Sequence, residues 1–173
     1  MVRAGLSSRG VIDRGPRPYA TAVPPGSVAV ASALAILPIV TQLGWYPDLG
    51  FIVLIAWRLL RSDVWPAWWA APLGFANDLL TGSPIGLSVA IWTAAMLILD
   101  LSDRRTMWRD YWVEWALAIV LIAASELAHW RVAALMGAPA ELSSVGPRIV
   151  IAALCFPLAA WAVARLDRWR LGR

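Results

Sequence analysis

The residue with the clearest potential for chemistry is Asp78, a carboxylate in the otherwise apolar run Gly74–Leu87, GFANDLLTGSPIGL. A charged Asp at the centre of a membrane helix costs about 2.5–3.5 kcal/mol, and less near the helix end. Asp78 follows Gly74 by four residues, which places both on one helix face. We expect Asp78 to make a polar contact that fixes a turn or a neighbouring helix. The alternative is an interfacial carboxylate without a role.

The four residues Thr81–Pro84 have the composition of a tight turn. Gly82 can end one helix, Ser83 can cap the next, and Pro84 fits the first position of that helix. Gly74 and Gly86 lack side chains and can let helices approach closely. The candidate partner-contact or helix-packing residues are therefore Gly74, Asp78, Gly82, Ser83, Pro84 and Gly86.

Glu126 and His129 form a Glu-x-x-His pair, a spacing that binds metal in helical bundles when a second ligand set is present. His129 is the single histidine of the chain and Cys155 its single cysteine. We therefore expect no metal site, and instead a pairing of Glu126 with His129 or Arg131 near a helix end. No second acid accompanies Asp78, and no nucleophile, phosphate-loop or dinucleotide motif occurs. The sequence predicts no catalytic residue, no cofactor and no enzymatic activity.

The composition indicates the bilayer as the solvent of this chain. Of 173 residues, 60% are hydrophobic, and the mean hydropathy is +0.66. A soluble domain usually has an apolar share of about 45–50%. The net charge of +4 comes from arginines grouped at the ends of apolar segments, so it predicts membrane topology rather than nucleic-acid binding.

Six apolar segments predict an all-α integral membrane protein with short loops. Residues 1–27 are expected to form a flexible basic tail, residues 28–164 the transmembrane domain, and residues 165–173 a second basic tail. Segments 49–60 and 70–80 are short for a bilayer, so we expect them to thin the bilayer, to extend through their aromatic flanks, or to be shielded by other helices. Trp57, Trp92 and Trp161 are predicted to pack between helices. The predicted spans are Val28–Leu43 with Pro38 inside it, Leu49–Leu60, Ala70–Leu80, Pro84–Leu101, Tyr111–Trp130 and Arg148–Ala164.

Arginine placement predicts the orientation. Thirteen arginines lie on the side that carries both tails, and two, Arg131 and Arg148, lie on the other. Cytoplasmic loops carry the excess of positive charge. Both termini are therefore expected in the cytoplasm, with the Asp78 turn facing the periplasm of a bacterial inner membrane.

The run Gly74–Leu87, read as Gly-x-x-x-Asp-Leu-Leu-x-Gly-Ser-x-x-Gly-Leu, resembles the signature of the MreD family of rod-shape-determining membrane proteins. Leu54–Ser62 also resembles the segment that precedes that signature, and the similarity is most specific over Pro47–Leu101. It implies a non-enzymatic subunit of the cell-elongation machinery that works in peptidoglycan synthesis. Its implied partners are MreC and, through it, MreB, with the SEDS glycosyltransferase, the class B penicillin-binding transpeptidase and the lipid bilayer.

A different class remains open beside this one. The substrate-binding subunits of vitamin importers are also six-helix membrane proteins of similar size. Such a protein buries several polar groups in a cavity, and the sequence offers a small set for this purpose: Asn77, Asp78, Ser88, Thr93, Ser125, Glu126 and His129.

Overall fold

A computed structural model describes residues 19–37, 46–62, 65–105, 111–138 and 142–172, without the side chains of residues 104 and 105. Every regular element in these ranges is helical. The expected all-α class is confirmed. Several predicted features lie outside the described residues: Pro38 in the first span, the Gly44–Trp45 part of the following turn, the arginines of the first 17 residues, and Pro139.

The described residues form six α-helices. Three are extended by short 3₁₀ turns, at Leu34–Ile36 after α1, Ala67–Trp69 before α3 and Leu142–Ser144 before α6. The helices are α1 Val23–Ala33, α2 Leu49–Leu60, α3 Ala70–Thr81, α4 Leu87–Arg105, α5 Tyr111–Leu135 and α6 Val145–Arg170.

The helix ends differ from the predicted spans at several places. α1 begins at Val23 because Pro24 and Pro25 suit the first helical turn, which has no need of their missing N–H groups. The last span continues to Arg170, so most of the stretch 165–173 is helix rather than tail. The reason is that Asp167 and Arg170 are buried against the other helices instead of being solvated.

The short helix α2 is the centre of the bundle. It contacts α1, α4, α5 and α6, and its twelve residues rise only about 18 Å. Ile55 and Trp57 are fully buried, and Phe51 stacks on Trp92 with ring centroids 6.0 Å apart. Neighbouring helices therefore shield the second segment, which is one of the expected ways to accommodate a segment too short for the bilayer. The prediction for Trp57 and Trp92 is confirmed, whereas that for Trp161 is wrong, because 63% of Trp161 is exposed.

Charged side chains close one end of the bundle, which we call the arginine end. Arg58 of α2 is buried and pairs with Asp100 and, at 2.8 Å, with Asp103 of α4. Arg61, the residue after α2, lies 3.6 Å from Asp167 of α6. These pairs neutralise the buried charge where α2, α4 and α6 finish.

Arg170 joins the start and the finish of the helical bundle at this same end. Its side chain pairs with Asp167 at 2.6 Å and lies over the ring of Trp57, 5.4 Å from the centroid. It also donates to the carbonyl of Ala20 at 3.4 Å. The indole of Trp57 donates to the hydroxyl of Ser27 in α1 at 2.7 Å. These contacts hold α1, α2 and α6 together.

Within the part of the chain that the structure describes, two helices are long and apolar enough to cross a membrane by length and composition, namely α5 and the segment Leu142–Arg170 that contains α6. Most of each apolar stretch is not buried inside the protein. Val120, Leu154 and Leu158 are 62%, 70% and 69% exposed, which a core helix of a soluble protein would not show. Helix α4 was expected to span fully, but it is not among these two because its last turns are charged.

Helices α3 and α4 approach each other closely at Gly74. A Cβ at this position would lie 2.8 Å from the backbone nitrogen of Val89 and 2.9 Å from the carbonyl of Ser88. Backbone atoms cannot rotate away, so the helices would have to separate. The close helix contact predicted at Gly74 is present, and it lies within this chain.

We predict that Gly74→Ala lowers the free energy of unfolding by about 1–3 kcal/mol, as overpacking does in other cores. Gly146→Ala in α6 is the matched control, since a Cβ there meets nothing within 4 Å. It should leave stability unchanged or raise it slightly, because Ala favours helix more than Gly. Thermal unfolding in detergent measures both variants. Equal midpoints for the two variants would contradict the close approach.

Candidate binding cavity beside the Asp78 turn

The carboxylate of Asp78 caps the helix that follows it. Its Oδ2 accepts from the backbone N–H of Gly86 at 2.7 Å, and its Oδ1 accepts from that of Ser88 at 2.9 Å. The first N–H groups of a helix have no partner within the helix, and the positive end of the helix dipole lies there. An acidic side chain at this place is therefore favourable both as a hydrogen-bond acceptor and as a negative charge. Only 1% of Asp78 is exposed. The structure therefore confirms the prediction that Asp78 fixes the turn.

The turn differs from the predicted one in how α4 begins. Gly82 ends α3 with φ +67°, as predicted for a left-handed cap. Gly86 has φ +97°, which is not helical, so α4 begins at Leu87 instead of Pro84. Ser83 does not cap α4, and its hydroxyl lies 2.9 Å from that of Thr81. The cap comes from Asp78 across the turn, eight residues before Gly86.

Asn77, the neighbour of Asp78, connects α3 to α2 and α4. Its Nδ2 donates to Asp48 Oδ2 at 3.2 Å and to the hydroxyl of Ser88 at 3.1 Å. Asp48 Oδ1 in turn caps α2 by accepting from the N–H of Phe51 at 3.0 Å. One continuous polar network thus ties together the start of α2, the end of α3 and the start of α4.

Asp48 is not among the candidate residues predicted from the sequence. The signal was present, because an Asp directly before an apolar helical run is a typical N-cap. Burial raises the pKa of the Asp48 carboxyl above its ordinary value, and the hydrogen bond from Phe51 and the nearby His129 offset this only in part. A neutral acceptor at this position should therefore be tolerated.

A polar cavity of about 490 Å³ opens beside this network. Residues from α1, α2, α3, α5 and α6 line it, so it forms only when the bundle is complete. We call it the head cavity. Its polar lining residues are Ser32, Tyr46, Asp48, Asn77, Thr81, Ser83, Glu126, His129 and Arg148.

The head cavity has hydrogen-bond acceptors without partners in its wall. Ser32 and Asn77 are 3% and 2% exposed, and Ser32 Oγ and Asn77 Oδ1 have no hydrogen-bond partner. Both atoms flank Gly50 of α2, where a Cβ would overlap Ser32 Oγ and lie 3.3 Å from Asn77 Oδ1. Buried polar atoms normally have partners, so this close packing leaves two hydrogen-bonding groups unsatisfied within the described residues.

Glu126 and His129 both line the head cavity. The imidazole Nδ1 of His129 lies 2.9 Å from the carbonyl of Ser125, one turn earlier in α5. No group of three His, Cys, Asp or Glu side chains that could hold a metal occurs in the described part of the chain. Arg148, expected at a loop boundary, belongs to α6 and contributes a guanidinium to the same wall.

A second cavity of about 600 Å³ adjoins the first and shares Ser83, Glu126, His129 and Arg148 with it. We call it the apolar cavity, because its remaining wall is mainly apolar. That wall includes Pro84, Ile85, Leu87, Ala133, Met136 and Val145. The charged residues therefore stand at the border between a polar and an apolar space.

Comparisons with models of protein families, with curated proteins and with solved structures find no match to this chain.

We predict that Asp78→Asn is more destabilising than Asp48→Asn. At position 78 both acceptors face backbone N–H groups, so one would be left unsatisfied at a cost of about 1–3 kcal/mol. At position 48 the amide of Asn77 can turn over, because its Oδ1 is free to accept, and Asn caps helices as well as Asp does. Unfolding midpoints in detergent measure the difference. A larger loss for Asp48→Asn would contradict this account.

Proposed function

We propose that the chain is a multi-pass protein of the bacterial inner membrane, with six spans and both termini in the cytoplasm. The observation that carries this is the outward apolar face of the two longest helices, at Val120 and Leu154 for example. The bilayer is the solvent that makes such a surface stable. α2 and α3 are too short to span alone, and burial of α2 by its neighbours makes its length acceptable.

Arginine placement supports the orientation. In the proposed topology, thirteen of the fifteen arginines fall on the side of the arginine end, and such an excess is typical of the cytoplasmic face. The ion pairs of Arg58 and Arg170 lie at that same end. The head cavity lies at the opposite end and would then open toward the periplasm.

Reporter fusions test this topology. A reporter fused after Arg173 or inserted near Arg104 should read cytoplasmic, and one inserted near Pro139 should read periplasmic. The reason is the unequal distribution of arginine between the two sides. A periplasmic reading after Arg173 would imply an odd number of spans and reject the model.

Within this class we propose a non-enzymatic subunit of the cell-elongation complex, as the resemblance to the MreD family implies. What supports it is the part that the Gly74–Leu87 signature plays here. Gly74 permits the α3–α4 contact, Asp78 caps α4, and Gly82 and Gly86 adopt the positive φ angles of the turn. The proposed partners are MreC, through it MreB, and the SEDS glycosyltransferase with its class B transpeptidase.

Depletion in the rod-shaped host should give wide, round cells, and the protein should co-purify with an MreC-like partner. Complementation separates function from folding. Gly146→Ala should restore normal cell width, whereas Gly74→Leu should not, because it drives α3 and α4 apart. Membrane abundance and cell width are measured together. Depleted cells that keep their shape would reject the cell-elongation role.

A small-molecule binding subunit of a membrane importer is the second candidate, and the head cavity is the observation that favours it. Its volume of about 490 Å³ is within the usual range for ligand pockets. The same depletion experiment distinguishes the two functions. Loss of uptake of a vitamin-like solute with normal cell shape would support the importer.

A further inference from the structure

We propose that the exposed face of the C-terminal part of α6 binds anionic phospholipids, with Arg165 and Arg168 on the lipid phosphate and Trp169 beside the headgroup. The inference rests on the proposed membrane location of the chain, but it does not depend on the role in cell elongation. It concerns the arginine end of the bundle rather than the two cavities.

A single stripe of exposed side chains runs along α6 and changes from apolar to basic. Leu154, Leu158 and Trp161 are 70%, 69% and 63% exposed. Arg165 and Arg168 are exposed in the turns that follow. At 3.6 residues per turn, these five positions lie within an arc of about 80° on the helix circumference. The same surface therefore offers contact to hydrocarbon first and positive charge roughly 10 Å further along the axis.

The opposite face of these last turns is fixed to the bundle. Asp167 and Arg170 are buried and pair with each other at 2.6 Å. Arg170 also lies over the ring of Trp57 in α2, with 5.4 Å between the guanidinium carbon and the ring centroid. The basic part of the stripe is therefore held in one orientation by its own helix. A surface that is ordered beforehand loses little conformational freedom when it binds a ligand.

The two arginines suit a phosphate group with uncompensated negative charge. Arg165 and Arg168 are three residues apart in a helix, so their side chains are neighbours on its surface. In the described part of the chain, neither guanidinium is paired with a carboxylate. A guanidinium can donate to two phosphate oxygens at once. Trp169 is 51% exposed on the following position, and Trp is favoured at the level of lipid headgroups.

Two related lipids discriminate between this site and a surface that only contacts acyl chains. Phosphatidylglycerol has a net negative charge, whereas phosphatidylcholine with the same acyl chains is neutral overall. The apolar half of the stripe should bind both lipids equally, because it contacts only the chains. The basic half should prefer phosphatidylglycerol.

The experiment is native mass spectrometry of the full chain in detergent micelles with the two lipids in competition. Phosphatidylglycerol should bind at least about ten-fold more tightly, because each arginine beside an anionic headgroup contributes roughly five-fold. The double variant Arg165→Gln, Arg168→Gln should lose most of this preference. Equal binding of the two lipids by the unmodified chain, or a preference that survives in the double variant, would overturn the proposal.

Two control variants show whether the charge of this particular pair is responsible. The double variant Arg165→Lys, Arg168→Lys keeps both charges and should keep most of the preference. Arg131→Gln removes an exposed arginine of α5 whose guanidinium carbon lies 5.1 Å from the ring centroid of Trp130, and it should leave the preference unchanged. Arg131 has no second arginine three or four residues away. An equal loss in either control would overturn the assignment to the pair.

Two further measurements separate this proposal from folding and from the membrane location. Thermal unfolding midpoints in detergent should be the same for the glutamine and lysine variants, because both positions are exposed. A chain that stays monodisperse in buffer without detergent would reject the membrane location itself and the lipid site with it. Equal binding of the two lipids by a folded chain in detergent would overturn only the lipid site.

Discussion

The fold depends on the burial of one short helix, α2. It is covered on nearly all sides, so both of its ends meet protein instead of water and need polar partners there. Asp48 satisfies the first turn at one end, and Arg58 is neutralised by two acids of α4 at the other. A buried charge without such partners would be strongly destabilising. The positions of α3, α4 and α6 follow from the need to supply these groups.

The all-helical class, the central turn and the apolar core around Trp57 could be predicted because they follow from local composition and spacing. The polar network could not. Asn77 and Asp78 are neighbours in sequence, yet one reaches α2 and the other the start of α4. Which partner each side chain meets depends on how three helices pack, and no periodic pattern records that. The burial of Arg170 was not predicted for the same reason, since basic residues at the end of a segment are normally expected to be solvated.

The packing beside the head cavity depends on the absence of a side chain at one position. Gly50 of α2 lets Ser32 of α1 and Asn77 of α3 pack directly against its backbone, since a Cβ there would overlap Ser32 Oγ. Neither Gly50 nor Ser32 stands out in the sequence, because Gly and Ser are common in any membrane protein. Glu126 and His129 were singled out for their spacing, but their shared feature is the cavity they face from α5.

The contact of Arg170 with Ala20 has a consequence for biosynthesis, because 150 residues separate the two. At a translation rate of about 5–20 residues per second, roughly 8–30 s pass before the partner of Ala20 has been made. During that interval one side of Trp57 in α2 lacks the Arg170 side chain that covers it in the complete bundle. A late-arriving helix therefore completes the bundle, and until it is made the nascent chain exposes surface that other proteins would have to protect.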